Sequence, residues 1–453
     1  MAVSLGLVMR NRSAPIAALR AKVPPTLDLL AILPVKEIAR WAKSRPCCDH
    51  HGEHWQSPSA LPRERPCTPN PLLEGPKMAE FDRRSVLLGA LSVVLTGSWP
   101  QSGNVAEFST LRQVAQARGV EIGAFASLSQ IEDKDFGNTI GQHFTLSANL
   151  LEEMEWDANP GFNVDDPGFS RLTTFLDRCQ ELSLRSRARQ IYSKEALPWN
   201  AHLRADGSPK SRTELEQTLV KRAQQACRPL KGRNAIIQVI DEILADHEGG
   251  LRQDPFSDAL GEEYIDILFH AAHEAAPDAL LIYQEFGPEI HPEGWFKRKT
   301  KDYMALLERL RRRNVPITGA ALGGFMHPDL VLRKQFFQHI EQLEYDIHIT
   351  ELTQIYGMRG EPKSDGFWPK SVKENDRIVA DRYTRAFQFL CDLKRLREIT
   401  FFAAIDGRNM VETGSLGIEP YSMARPGIFN RDWTPKPVYH LLTETVSKSK
   451  LRV

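Results

Sequence analysis

Residues 345–354 read YDIHITELTQ. The apolar residues alternate as they do in a strand. The run nevertheless ends on a carboxylate, Glu351, and passes directly into the loop-like QIYGMRGEPKSDG. A glutamate at the C-terminal tip of a strand is either solvated decoration or a catalytic group held over a cleft, and the rest of the chain has to decide which.

From residue 111 onward the same pattern recurs. Short β-rich runs alternate with helical segments of 12–20 residues: VEIGAFAS, HFTLSAN, LSLRSRARQIY, NAIIQVIDEIL, DALLIYQEFG, VPITGAALGGF, YDIHITELTQ and EITFFAAIDGR. Between them lie PGFSRLTTFLDRCQEL, SRTELEQTLVKRAQQA, EEYIDILFHAAHEAAP and KDYMALLERLRRR, which have helical spacing and charged outer faces. The run Arg311–Arg313 reads as the solvated end of such a helix, where positive charge suits the dipole. Eight βα units predict an α/β fold, a single closed parallel (β/α)8 TIM barrel, with functional residues at the strand C-termini and the loops that follow. Two strands deliver a glutamate there: Glu242 in IIQVIDEIL and Glu351 in YDIHITEL. A carboxylate after an apolar run is costly to bury without a purpose or a partner. Two of them facing each other across a barrel mouth suit acid/base and nucleophilic work at one glycosidic bond.

Composition narrows the alternatives. The 453 residues carry 58 Lys+Arg against 58 Asp+Glu, so no net basic field exists of the kind that drives sequence-independent nucleic-acid binding. No nucleic-acid partner is expected. The cysteines divide into Cys47, Cys48 and Cys67 near the start and Cys179, Cys227 and Cys391 scattered singly among helix-like segments. The latter three read as small buried hydrophobes rather than as a disulfide framework or metal site.

The first hundred residues are a different kind of sequence. Residues 44–77 are rich in proline and polar groups and lack periodicity, so residues 1–77 are expected to be a disordered leader or an over-extended reading frame, with translation starting at Met78. CCDHHGEH within them brings thiolate and imidazole close enough to bind a metal, but nothing around it supplies an ordered frame. Residues 78–106 have the layout of an export signal: Arg83 and Arg84 precede a short apolar stretch from Val86 to Leu95, too short to span a bilayer. The arginine pair suggests the twin-arginine route, an exported periplasmic or extracellular protein, and no stable membrane anchor in the mature chain.

Residues 107–446 resemble glycoside hydrolase family 10, the xylanase family of retaining endo-β-1,4-glycanases. LEEMEW (151–156) resembles the family's ENEMKW, and VIDEI its VVNEA. LGEEYIDILFHAAHEAAPDALLIYQEFG is similar to LGxEYIDIAFRAAREADPDAxLYxNDYN, the longest and most specific match. ITEL resembles ITELD, ITFFAAID resembles VTFWGxxD, and PKPVYHLL resembles PKPAYxAL. The resemblance implies that Glu242 is the general acid/base and Glu351 the nucleophile. In a retaining site the two carboxyls lie about 5 to 5.5 Å apart. It implies no metal and no organic cofactor, and a polysaccharide as the partner.

The departures from the family pattern fall on the groups that hold the sugar. The asparagine before the acid/base is Asp241, the lysine and asparagine of ENEMKW are Glu155 and Glu152, and LQSH has become LGGF, placing Gly323 and Phe325 where glutamine and histidine would be. RGHTLVWH matches RSRARQIY, which puts Tyr192 where a histidine near the cleaved bond is expected. The tryptophan of TFWG is Phe402, and Thr353 follows the nucleophile motif in place of aspartate. Glu155, Tyr192 and Asp241 are thus the candidate substrate-binding residues, and Asp241 beside Glu242 should raise the acid's pKa by like-charge repulsion. Arg185, Arg187 and Arg189 alternate along the third strand and share one face. They are expected to pair with helix carboxylates outside the barrel, the alternative being an arginine that reaches the cleft and binds an acidic sugar. Three functions fit: a retaining endo-glycanase with altered sugar subsites, a non-catalytic carbohydrate-binding barrel, and a hydrolase or transglycosylase serving exopolysaccharide production.

Overall fold

The computed structural model describes residues 110–149, 167–193, 200–290, 293–324, 333–354, 371–407, 409 and 425–450. The expected leader and export segment, 1–77 and 78–106, lie outside the described residues. So do Glu152, Glu155 and Phe325.

Eight strands close into a barrel: β1 (Glu121–Ala126), β2 (Leu146–Asn149), β3 (Arg185–Tyr192), β4 (Ile236–Asp241), β5 (Leu280–Glu285), β6 (Gly319–Leu322), β7 (Asp346–Leu352) and β8 (Leu396–Phe401). Each pairs in parallel with the next, and β8 closes on β1 through the register Glu121↔Glu398 to Ala124↔Phe401. The strands fall within the eight runs read from the sequence, apart from the first two residues of β8. The helices are α1 (Leu111–Arg118), α2 (Leu128–Glu132), α3 (Lys134–His143), α4 (Pro167–Glu181), α5 (Arg212–Cys227), α6 (Pro255–Leu260), α7 (Glu263–Ala275), α8 (Gly294–Arg312), α9 (Lys334–Gln342), α10 (Val372–Leu390) and α11 (Pro437–Lys448).

Local chemistry sets several helix starts. Ser211 accepts from the Glu214 amide while Glu214 reaches back to the Ser211 amide, a reciprocal cap that begins α5. Asp254 accepts from the amides of Phe256 and Ser257 to start α6, with Pro255 at the first helical position. At the other end of α8 the arginines are paired as well as solvated: Arg313 binds Asp266 and Glu262, and Arg311 binds Glu344.

Two apolar layers form. Most buried hydrophobic residues lie between the barrel and its helices, among them Ile237, Val239, Ile240, Ile347, Ile349 and Leu352. A smaller cluster joins Phe125, Leu146, Ala148, Ile236, Ile282 and Ala321. Strand alternation separates the two sets, since Ile236 and Ile237 go to different clusters. Cys179, Cys227 and Cys391 are buried free thiols.

The three arginines of β3 do not pair with helix carboxylates outside the barrel, and Arg189 reaches the cleft instead. Their partners are strand residues or lie beside strands, not on helices. Arg185 binds Glu121 and Asn234, Arg187 binds Glu398 of β8, and Arg189 binds Glu351 of β7. Arg187 is fully buried and donates to Glu398 Oε1 at 2.8 Å, Gln238 Oε1 at 2.7 Å and the Thr350 carbonyl at 2.8 Å. Glu398 also bonds His348 Nδ1 at 2.9 Å and Thr400 Oγ1 at 2.5 Å, so a connected polar network fills the barrel beneath its mouth. Gly319 makes room for it: a Cβ there would lie 2.5 Å from the His348 ring.

Candidate active site

The strand tips that carry the site are irregular, and the irregularity aims the side chains. In β7, Ile349 and Leu352 both join the outer apolar layer, so two residues, Thr350 and Glu351, occupy a stretch where a regular strand would spend one. The ladder to β8 shifts register there. In β4, Val239 and Ile240 both face outward across a register shift between Gln238 and Ile240, which brings Asp241 to the inner side. A third shift, between Arg189 and Tyr192, sits at the end of β3. An extra residue in a strand re-aims everything after it, and such bulges gather beside active sites.

Glu351 is nearly buried, its side chain 9% exposed. Arg189 Nη2 lies 2.6 Å from its Oε1, and Gln284 Nε2 donates to the same oxygen at 3.2 Å. Gln284 is itself held by Thr350 Oγ1 at 2.5 Å, and Thr350 is held by Arg187, so the buried network supports the floor of the site. Asp241 lies 3.6 Å from Arg189 Nη2, and its Oδ1 makes no hydrogen bond to any described residue.

Glu242 follows Asp241 with φ 48°, a left-handed conformation unfavourable for any residue but glycine. Its N–H donates to the Gln284 carbonyl at 3.1 Å and its carbonyl accepts from Arg252 Nε at 2.7 Å, so the strained backbone is pinned from both sides. Strain of this kind persists where the surroundings over-determine it, and it clusters at functional sites. The carboxyl is 32% exposed. Burial raises its pKa most, the negative charges of Glu285 and Glu351 add to that, and Lys299 and Arg252 pull against them, leaving it at about 7. The expected direction holds, but its cause differs. Burial lifts Glu242 most, and the like charges that add to it are Glu285 and Glu351 rather than Asp241. Asp241 is itself held well above the usual carboxylate range, by burial first, against the pull of Arg189 and with Glu242, Glu351 and Glu285 pushing the same way.

Glu285, at the tip of β5, is fully buried. It accepts from Tyr283 Oη at 2.8 Å and the Leu244 amide at 2.9 Å, and pairs with Lys299 Nζ at 3.0 Å. Lys299 continues to Asp246 at 2.9 Å, which also binds Arg252. Beneath the next loop, Glu289 accepts from the amides of Gly287 and Gly324 at 3.1 and 2.9 Å, and burial pushes it up to about 7.

The structure thus brings Asp241, Glu242 and Glu351 together. It does not bring Tyr192 to them. Beyond the β3 bulge Tyr192 turns outward, packs against Tyr264 and Phe256 and gives its hydroxyl to Asp254 at 2.9 Å. Thr353 is buried and bonds the Glu351 carbonyl, and Phe402 packs edge-on against Phe125 with ring centroids 5.3 Å apart. Arg189 meets the alternative in which a β3 arginine reaches the cleft, and Gln284, Glu285 and Lys299 are site residues that the sequence reading does not name. Glu285 carried the same signal as the two predicted glutamates, a carboxylate ending the apolar run LLIYQE. Among the described residues no group of three or more His, Cys, Asp or Glu could hold a metal ion.

A family model, glycosyl hydrolase family 10, matches residues 110–445. The chain belongs to glycosyl hydrolase family 10. It is therefore a glycoside hydrolase, with xylanase-like relatives. Endo-1,4-beta-xylanase B of Thermotoga neapolitana is 28% identical over 265 residues, 57% of this chain and 70% of that protein. Beta-1,4-xylanase of Dictyoglomus thermophilum is 24% identical over 345 residues, 72% of this chain and 91% of that one. Among solved structures, native xylanase 10B from Thermotoga maritima superposes with a TM-score of 0.60 at 21% identity, covering 75% of this chain and 98% of that chain. A family 10 structure from Paenibacillus barcinonensis gives 0.64 at 20% identity, covering 76% and 100%. At these identities the solved structures share the fold. In this family 10 member the loop after β6 is built around Gly323–Gly324. Gly324 takes φ 88°, and a Cβ on it would lie 2.6 Å from Ile349.

Proposed function

We propose that this family 10 hydrolase is a retaining endo-β-1,4-glycanase acting on a β-linked polysaccharide, with Glu242 as general acid/base and Glu351 as nucleophile. The observation that carries the reading is the contrast between the two carboxyls. Glu242 is poised near pH 7 among other negative charges, whereas Glu351 is paired with Arg189. A proton donor and an ionised nucleophile are the pair that double displacement requires. In the first step Glu351 forms a bond to the anomeric carbon while the glycosidic bond breaks and the leaving oxygen takes the Glu242 proton. In the second, water attacks the same carbon, Glu242 takes the water's proton, and Glu351 leaves with its bonding pair.

The sugar subsites are altered relative to xylanases. Asp241, with a buried carboxyl oxygen that no described residue satisfies, is the group we assign to the sugar hydroxyl beside Glu351, and Glu155 to a neighbouring subsite. Donors lost at Gly323 and Phe325 would leave xylose hydroxyls unpaired at about 1–3 kcal/mol each. Weak turnover of unsubstituted xylan follows. Export through the segment 78–106 is part of the same proposal; among the described residues no helix is long and apolar enough to cross a membrane.

The test is a hydrolysis screen of xylan, mixed-linkage glucan and bacterial exopolysaccharides, with product anomers followed by NMR. Glu351→Ala should abolish turnover, and Glu242→Ala should spare activated aryl glycosides, whose leaving groups need little protonation. Robust xylan cleavage would refute the altered subsites, and an inverted product would refute the mechanism. Binding to a polymer with no cleavage of any would favour a carbohydrate-binding barrel.

A further inference from the structure

We infer that Arg189 is a positioning residue for Glu351 and that Asp241, beside the same guanidinium, helps to hold it in the floor of the site. The inference rests on the catalytic reading above. Against the family motifs, position 189 is a leucine in RGHTLVWH and position 241 an asparagine in VVNEA. This chain therefore carries an arginine and an aspartate where the motifs carry a leucine and an asparagine, and the fold sets that arginine against both Asp241 and Glu351. Arg189 Nη2 is 2.6 Å from Glu351 Oε1 and 3.6 Å from Asp241 Oδ2. Its guanidinium carbon also lies 5.4 Å from the centre of the Phe125 ring, and its side chain is only 11% exposed, so it is anchored from below.

Neither change would be tolerable by itself. A lone arginine at position 189 would be a poorly solvated cation inside a barrel, and a lone aspartate at 241 would add a carboxylate to a site already holding Glu242, Glu285 and Glu351. Together they are accommodated: Arg189 pairs with Glu351, and Asp241 lies beside the same guanidinium with its carboxyl held by burial well above the usual carboxylate range. Because Arg189 and Gln284 both engage Oε1, Oε2 is the oxygen placed to form the bond to the anomeric carbon. When water later cleaves that bond, the electron pair returns to Glu351 and Arg189 is already in place for the restored charge.

The experiment compares Arg189→Leu, Arg189→Lys, Asp241→Asn and the Arg189→Leu/Asp241→Asn double variant of the full chain. One readout is the pH profile of kcat/KM on dinitrophenyl β-xylobioside, and the other is a carboxyl-carbon NMR titration of Glu351. Arg189→Leu should lower kcat/KM by about thirtyfold or more. It should also move the acid limb, and the Glu351 titration, to higher pH. Arg189→Lys should restore most of the limb, and the double variant should lose less than the two single losses combined. An acid limb and a titration both unmoved in Arg189→Leu, or strictly additive losses, would overturn the inference. If the wild type turns over no glycoside, the catalytic reading fails, and the NMR titration still decides whether Arg189 controls Glu351. Arg189→Lys, which keeps the charge, supplies the comparison should Arg189→Leu not fold.

Discussion

Arg187 and Glu398 form an ion pair inside the barrel with both side chains fully buried, the guanidinium Nε 2.8 Å from the carboxylate Oε1. Glu398 is held from three sides, and although burial alone would raise its pKa, Arg187, His348 and Thr400 outweigh burial and hold it at about 2. Removing one partner of such a pair strands the other in a low-dielectric interior. Arg187→Met should therefore cost about 3–5 kcal/mol of stability by urea denaturation. A loss within experimental error would show that the network is not supporting the barrel.

The same pair fixes a pH dependence. The folded pKa of Glu398 lies below that of an unfolded glutamate, about 4.3, so the unfolded chain binds the extra proton. The stabilisation is complete above that value and is lost as pH falls toward about 2. The stability advantage of wild type over Glu398→Gln should shrink by about 3 kcal/mol between pH 5 and pH 2. An advantage constant over that range would refute the assignment.

How much of this was legible beforehand depends on how local the cause is. The eight strands were, because each is a short β-rich run set between segments of helical spacing. The places of Glu242 and Glu351 were, because a carboxylate closing an apolar run stands out. The three arginines were read first as facing outward, with one reaching the cleft as the alternative, because alternation reveals a shared face but not which face. Charge argued for the outside, and the partners that make the inside acceptable, Glu398 and Glu351, come from β8 and β7 at the far end of the chain. Tyr192 was assigned to the cleft by motif alignment, which is blind to the extra residue that turns it outward. Lys299 sits on α8, where a lysine is unremarkable until the fold sets it against Glu285.

The acid limb and the base limb of the reaction should be separable. Glu242 must carry a proton to act as an acid, so kcat/KM on a polysaccharide should fall as pH rises through about 7. Glu285→Gln removes a negative charge that lifts Glu242 but keeps an acceptor for the Leu244 amide. The basic limb should then move down by about half a unit or more. Lys299→Met should move it up. Limbs that stay in place in both variants would disconnect this cluster from the proton donor.

The loop after β6 should tolerate no side chain at its second glycine. Gly324 has φ 88°, its amide donates to Glu289, and an added Cβ would meet Ile349 at 2.6 Å and the Leu352 backbone at 3.0 Å. Gly324→Ala should cost about 1–3 kcal/mol. Because the clash falls on residues flanking Glu351, kcat should drop as well. Unchanged urea midpoint and turnover would show that the loop adopts another conformation.

Strain at Glu242 predicts a substitution that stabilises the fold while disabling it. The left-handed backbone at φ 48° costs a residue with a Cβ about 1–2 kcal/mol, a penalty glycine does not meet. The conformation is imposed by the Gln284 carbonyl and Arg252, which remain in any variant. Removing the carboxylate also relieves its repulsion with Glu285 and Glu351 at pH 8. Glu242→Gly should therefore be more stable than wild type by about 1 kcal/mol. Glu242→Ala, which loses the charge but keeps the strained Cβ, should fall between the two. Both should lose turnover of unactivated polysaccharide. Urea denaturation at pH 8 orders the three proteins, and a glycine variant no more stable than the alanine variant would mean that the backbone at Glu242 stores no strain.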